Sequence, residues 1–161
     1  MPSTRPIKLD AWGITWEEYK ELFYFCLQYE QKKRDAAALL TIRLSTPTPV
    51  VYFRAGKEYG TFLPRGGGQT SDPVAATAAK RERLLNDVRI IEQAAKAACE
   101  KEGEGMYSAL IMAVTTKSGV QAVFANPNTR PPCGERQFYA LRRKFFWILR
   151  EMKCGDIEPI A

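Results

Sequence analysis

The fold is decided by the stretch PPCG at residues 131–134 and by the segment ERQFYALRRKFFWILREMK that follows it at residues 135–153. The two prolines interrupt any preceding helix, and Cys133 or Gly134 can cap a new one. Within the segment, apolar residues recur at steps of three and four, which predicts an amphipathic helix packed on a core. The predicted core residues are Phe138, Leu141, Phe145, Ile148, Leu149 and Met152.

The opposite face of this predicted helix is both basic and aromatic. It carries Arg136, Tyr139, Ala140, Arg143, Trp147 and Arg150. Residues 130–153 hold seven basic and two acidic side chains, a balance of +5 in a chain whose net charge is +6. Together with a pI near 9.2, this charge favours a polyanionic partner, most often nucleic acid. We therefore expect the helix to be the functional surface.

Length and composition indicate one ordinary globular domain. The chain has 161 residues, of which 45% are hydrophobic and 26% charged, which is enough to bury a core. It contains no histidine, the commonest general base and metal ligand. The carboxylates are scattered and the hydroxyl groups have no basic partner, so we predict no enzymatic activity and no cofactor.

The four cysteines are widely spaced and form no C-x-x-C pair, which argues against a zinc site. Cys26 and Cys99 fall on apolar helix faces and are predicted to be core residues. Reduced thiols, together with a polar start to the chain and no apolar run of membrane-spanning length, predict a cytoplasmic protein without membrane contact.

The N-terminal part is predicted to be an extended arm over residues 1–14 and then helices over residues 15–44. Thr15 with Glu18 three positions on forms a capping-box pattern, so a helix is expected from Trp16 to about Glu30. More helix is expected over residues 36–42.

Residues 45–70 are predicted to be an irregular or hairpin insertion. Pro47 and Pro49 exclude helix, and residues 50–53 could pair with residues 58–63 as a small hairpin. The glycines at 66–68 do not form a phosphate loop, because no Gly-Lys-Ser/Thr follows and Asp72 would repel phosphate.

The C-terminal half is predicted to be entirely helical. A long alanine-rich helix is expected from Pro73 to about Lys101, ended by Gly103 and Gly105, and it could brace a bundle or pair with a second copy in a homodimer. Residues 106–115 and 120–125 follow as shorter helices, so residues 104–154 form a helix-turn-helix-like unit. The predicted fold is thus a mainly α helical bundle with this unit at its C-terminal end.

The pattern F-Y-x-L-R-R-K-F-F-x-x-L at residues 138–149, entered through residues 132–134, resembles the end of phage and prophage transcriptional regulators of the RinA/ArpU type. The resemblance extends loosely back to Pro73. It implies a helix-turn-helix like that of sigma-factor region four, with duplex DNA and RNA polymerase as partners in a bacterial host cell. The connector over residues 126–133 is longer than the turn of a simple helix-turn-helix, and residues 45–68 have no counterpart in that group.

DNA binding requires base-edge and phosphate contacts from one docked helix. Base edges would be met by the N-terminal half of the helix, through Arg136, Gln137, Ala140 and Arg143. Phosphates would be met by Arg130, Lys144 and Arg150, with Tyr139 and Trp147 completing the predicted DNA-binding set. The alternative for the same residues is that the arginines are merely solvated, while Tyr139, Phe146 and Trp147 pack on the long middle helix.

A second function fits the same surface. The basic-aromatic helix or the hairpin could bind a host protein that processes nucleic acid, making the chain a phage-encoded inhibitor or adaptor. The positive charge does not distinguish the two functions.

Overall fold

The computed structural model describes residues 10–41, 50–54, 57–62 and 73–155. Their elements are a 3-10 turn at Asp10–Trp12, helices α1 (Trp16–Leu27) and α2 (Tyr29–Thr41), strands β1 (Val50–Arg54) and β2 (Lys57–Phe62), and helices α3 (Pro73–Ala98), α4 (Glu104–Thr115), α5 (Gly119–Ala125) and α6 (Glu135–Cys154). The prediction of a mainly helical bundle is confirmed.

The start of α1 has the predicted capping box. The Thr15 hydroxyl accepts a hydrogen bond from the backbone N–H of Glu18 at 3.3 Å, and the Glu18 carboxylate accepts one from the backbone N–H of Thr15 at 2.8 Å. Such a cap typically contributes about 1 kcal/mol. The helix ends at Leu27, and Gln28 separates it from α2.

The core lies where α6 packs along the second half of α3. The predicted apolar face of α6 is buried throughout, as are Ile91, Ala94, Ala95 and Ala98 of α3. Small residues on α3 allow the bulky residues of α6 to approach closely. By contrast, α3 has no buried residue between 74 and 87, so its first half extends beyond the core.

The predicted hairpin is confirmed. β1 pairs with β2 in antiparallel register, with Val50 opposite Phe62 and Arg54 opposite Lys57, and the register shifts between Tyr52 and Phe53. The other predictions for the insertion, among them the glycine run at 66–68, lie outside the described residues.

Two local predictions differ from the structure. Residues 10–14 are not an extended arm, because Asp10–Trp12 forms a 3-10 turn and Ile14 is only 1% exposed; residues 1–9 lie outside the described part. Gly103 and Gly105 do not end α3 as predicted, because α3 finishes at Ala98. Gly103 is the N-cap of α4 with a φ of +86°, a conformation that glycine adopts without strain, and Gly105 lies within α4.

Over the ranges that the structure describes, no helix combines the length and the apolar character needed to cross a membrane.

Candidate nucleic-acid interface

The first half of α6 presents an exposed basic face. Arg136, Gln137 and Ala140 are exposed and Arg143 is half-buried, while Arg130 is exposed in the connector that precedes the helix. Arg130, Arg136 and Arg143 form no hydrogen bond or ion pair with any residue in the described ranges. We call Arg136, Gln137, Ala140 and Arg143 the basic face.

In the second half of the predicted DNA-binding surface, the side chains contact other parts of the same chain. Trp147 is half-buried, and its ring centroid lies 6.0 Å from that of Trp12. The Arg150 Nε lies 3.4 Å from the Glu18 Oε1. The 3-10 turn and the start of α1 therefore cover this part of α6, where the sequence predicted an outward face.

Two further predicted contact residues face inward. The Lys144 ammonium group donates a hydrogen bond of 3.3 Å to the carbonyl oxygen of Ala98, at the end of α3. Tyr139 is half-buried and packs against the hydrophobic core. The structure thus brings Arg136, Gln137, Ala140 and Arg143 together on one surface, where the Gln137 amide donates a 3.4 Å hydrogen bond to the Glu102 carboxylate. It also gives Lys144 and Arg150 intramolecular partners.

A buried cation lies behind this face. Arg142 is 7% exposed, donates a 2.9 Å hydrogen bond to the Tyr19 hydroxyl, and lies against the rings of Tyr19 and Phe146. Its Nε has no hydrogen-bond partner in the described part of the chain. Aromatic faces attract a guanidinium group and partly offset its loss of hydration. The sequence analysis missed this residue, although its spacing, four after Phe138 and three before Phe145, places it on the apolar face.

We expect the simultaneous replacement of Arg142 and Tyr19 to destabilise the protein less than the replacement of Tyr19 alone. Tyr19→Phe should lower the free energy of unfolding by about 1–3 kcal/mol, because it leaves a second guanidinium donor buried without a partner. Tyr19→Phe combined with Arg142→Met should restore most of that loss, since apolar groups of similar volume replace both partners. Urea unfolding of the two single variants and the double variant measures the coupling. A double variant less stable than Tyr19→Phe would contradict this account.

The predicted burial of Cys26 and Cys99 is confirmed, with exposures of 0% and 5%. Loss of hydration raises the pKa of the Cys26 thiol to about 12 and that of Cys99 to about 11. Both thiols are therefore protonated at neutral pH, and the thiolate is the reactive form. Within the described ranges, no group of three or more cysteine, aspartate or glutamate side chains could hold a metal ion.

An open cavity of about 610 Å³ lies where α3 ends and α4 begins. Its lining includes Lys96, Cys99, Glu100, Glu104 and Tyr107. Burial also raises the pKa of the Tyr107 phenol, so neither the thiol nor the phenol is a ready nucleophile or base at neutral pH. One lysine beside two glutamates does not favour an anionic ligand.

The described geometry defines a small helical bundle with one half-exposed basic helix. Comparisons of the chain with protein families, curated proteins and solved structures found no match.

Proposed function

We propose that the chain is a phage or prophage DNA-binding protein, a transcriptional regulator that docks the first half of α6 in the major groove of duplex DNA. The observation that carries the proposal is the basic face. Its cations, at Arg136 and Arg143, are exposed or half-exposed and have no internal partner in the described part of the chain, and the same holds for Arg130 in the connector.

The chemistry of this face suits base edges. Arginine can donate two hydrogen bonds to guanine O6 and N7, and glutamine can pair with adenine, while alanine can approach a thymine methyl group. Arg136 and Arg143 are separated by a rise of about 10 Å along the helix, comparable to the major-groove width of about 12 Å. Arg130, in the connector, is suited to a phosphate.

The elements around α6 support a helix-turn-helix-like arrangement. α5 is held against α6 by the Phe124 and Phe138 rings, whose centroids are 5.5 Å apart. The connector over residues 126–134 is longer than a three- or four-residue turn, but contacts with the rest of the protein hold it in place. The Thr129 hydroxyl donates a 3.1 Å hydrogen bond to the carbonyl of Val123, and Pro131 is buried. A fixed connector keeps α6 in one orientation relative to α5, as docking in a groove requires. The phage context and RNA polymerase as a partner rest on the resemblance of residues 138–149 alone.

A host protein target is the second candidate, and one observation favours it. Trp16 and Tyr24 on α1 are 54% and 61% exposed, and aromatic residues are enriched at protein interfaces. These residues lie on α1 rather than on the basic face, so the two candidates predict different contact surfaces.

Binding to duplex DNA should weaken as the salt concentration rises. Each phosphate contact contributes roughly −0.9 to the slope of log K against log salt concentration. Arg130 is the phosphate contact assigned above, so the predicted slope is about −1, and each further phosphate contact steepens it by about 0.9. Fluorescence anisotropy with a labelled duplex between low and physiological salt gives the slope. A flat response, or no binding at low salt, would favour the protein target.

A further inference from the structure

One side of α3 faces α2, and the contacts between the two helices identify that side. The Tyr29 hydroxyl donates a 2.6 Å hydrogen bond to Glu92, and the Lys32 ammonium group lies 2.6 Å from the Asp87 carboxylate. The residue numbers rise along α2 and fall along α3, so the two helices are antiparallel. At about 100° per residue, a second row of α3 side chains points away from α2. We call this row the outer stripe, and it consists of Ala75, Ala78, Glu82, Leu85 and Arg89.

The outer stripe combines small and apolar residues with one pair of opposite charges. Ala75 and Ala78 are exposed, and Leu85 is half-buried. The Arg89 guanidinium group donates a 2.9 Å hydrogen bond to the Glu82 carboxylate, seven residues earlier in the helix. The two side chains are 55% and 61% exposed, respectively. An ion pair this exposed adds little to the stability of a single chain, whereas small residues allow a second helix to approach closely.

The positions of the two charges determine how a second copy of α3 could pack on the outer stripe. The midpoint of α3 falls between Leu85 and Asn86. In an antiparallel pair centred on this midpoint, Glu82 of each copy faces Arg89 of the other. In a parallel pair, each glutamate would face a glutamate and each arginine an arginine, which is unfavourable. The charges therefore favour an antiparallel arrangement with two-fold symmetry.

The open cavity at the end of α3 adds a second feature that is complementary to the same helix. Lys96, which lines the cavity, lies seven residues after Arg89 and therefore continues the outer stripe. In the antiparallel pair, the first turn of one α3 meets the last turn of the other, so Val74 of one copy lies opposite the cavity of the second. Val74 is 55% exposed. Glu100 and Glu104 border the cavity, and negative charge is favourable near the amino end of a helix.

We propose that the protein forms a two-fold symmetric homodimer through antiparallel packing of the outer stripes of two α3 helices. Val74 of each copy then enters the cavity of the other. The dimer covers the first half of α3, which has no buried residue between 74 and 87 in the single chain, and helices gain most of their stability from such packing. This inference goes beyond DNA binding and does not depend on it.

Charge reversal at Glu82 and Arg89 tests the interface. Sedimentation velocity over a dilution series should show the parent protein as a dimer of twice the chain mass of 18.2 kDa. Glu82→Arg alone, or Arg89→Glu alone, places like charges opposite each other at two symmetric contacts. Each variant should therefore raise the dissociation constant of the dimer by about tenfold or more. An equal mixture of the two variants should restore the dimer, because each side chain at position 82 then faces an opposite charge at position 89.

The mixing step separates a contact between copies from the ion pair within one chain. If the Glu82–Arg89 pair acted only within the chain, both variants would lose it and mixing would restore nothing. Arg83→Glu is the matched control, because Arg83 is exposed on the same turn of α3 but lies outside the outer stripe; it should leave the dissociation constant unchanged. A parent that sediments as a monomer at every concentration, a mixture that does not recover, or an equal loss for Arg83→Glu would overturn the dimer and leave the proposed DNA binding intact.

Discussion

Replacing Phe146 by alanine is expected to lower the free energy of unfolding by about 3–5 kcal/mol. Phe146 is fully buried and its ring centroid lies 5.0 Å from that of Tyr19 and 5.1 Å from that of Phe145. It also lies against the Arg142 guanidinium group. Truncation would therefore leave a cavity in the core and remove one of the two rings that flank a buried cation.

The matched control is Trp16→Ala on α1. Its side chain is larger but is 54% exposed, so its removal should cost much less than that of Phe146. Denaturant unfolding monitored by circular dichroism provides both values. Equal losses for the two variants, or a loss below about 1 kcal/mol for Phe146→Ala, would contradict the packing of α1 on α6 described above.

Replacing Arg143 by alanine is expected to cost about 1–3 kcal/mol of binding free energy on a preferred DNA site and to reduce discrimination between sites. The reason is that Arg143 belongs to the basic face and has no ion-pair partner among the described residues. A guanidinium group with no internal partner can bind a base edge without first breaking an interaction in the protein.

Arg150→Ala provides the comparison within the same helix. Arg150 pairs with Glu18 at 3.4 Å and is half-buried, so its removal should weaken the attachment of α1 to α6 by a modest amount. We expect Arg150→Ala to lower DNA affinity less than Arg143→Ala does. The loss caused by Arg150→Ala should be similar for all DNA sequences. Gel-shift titrations on specific and scrambled duplexes measure both effects, after melting temperatures have been compared. If Arg150→Ala abolishes sequence discrimination and Arg143→Ala does not, the assignment of the two halves of α6 is wrong.

Local sequence signals were sufficient to predict the helices. The capping pattern at Thr15, the proline at position 73 and the three-and-four spacing along residues 138–152 each act through contacts within one element. The element types they predict are present in the structure, and the antiparallel pair of β1 and β2 is present as well.

The division of α6 into an open and a covered half could not be predicted in the same way. It depends on the 3-10 turn at Asp10–Trp12, more than a hundred residues earlier in the chain, which contacts Trp147. Likewise, the partner of Arg142 is Tyr19 on another helix. The position of an arginine on the apolar face of a helix indicates that it is buried. Its hydrogen-bond partner, however, is determined only by tertiary packing.

The central claim, that the first half of α6 contacts DNA, is tested most directly by site-specific photocrosslinking. A benzophenone amino acid at Ala140 would lie on the basic face, because Ala140 is exposed between Arg136 and Arg143. The control position is Tyr24, which is 61% exposed on α1. We predict a covalent adduct with duplex DNA from position 140 and none from position 24. An adduct from position 24 alone, or a protein adduct from position 140 without any DNA adduct in a bacterial lysate supplemented with duplex, would contradict the claim.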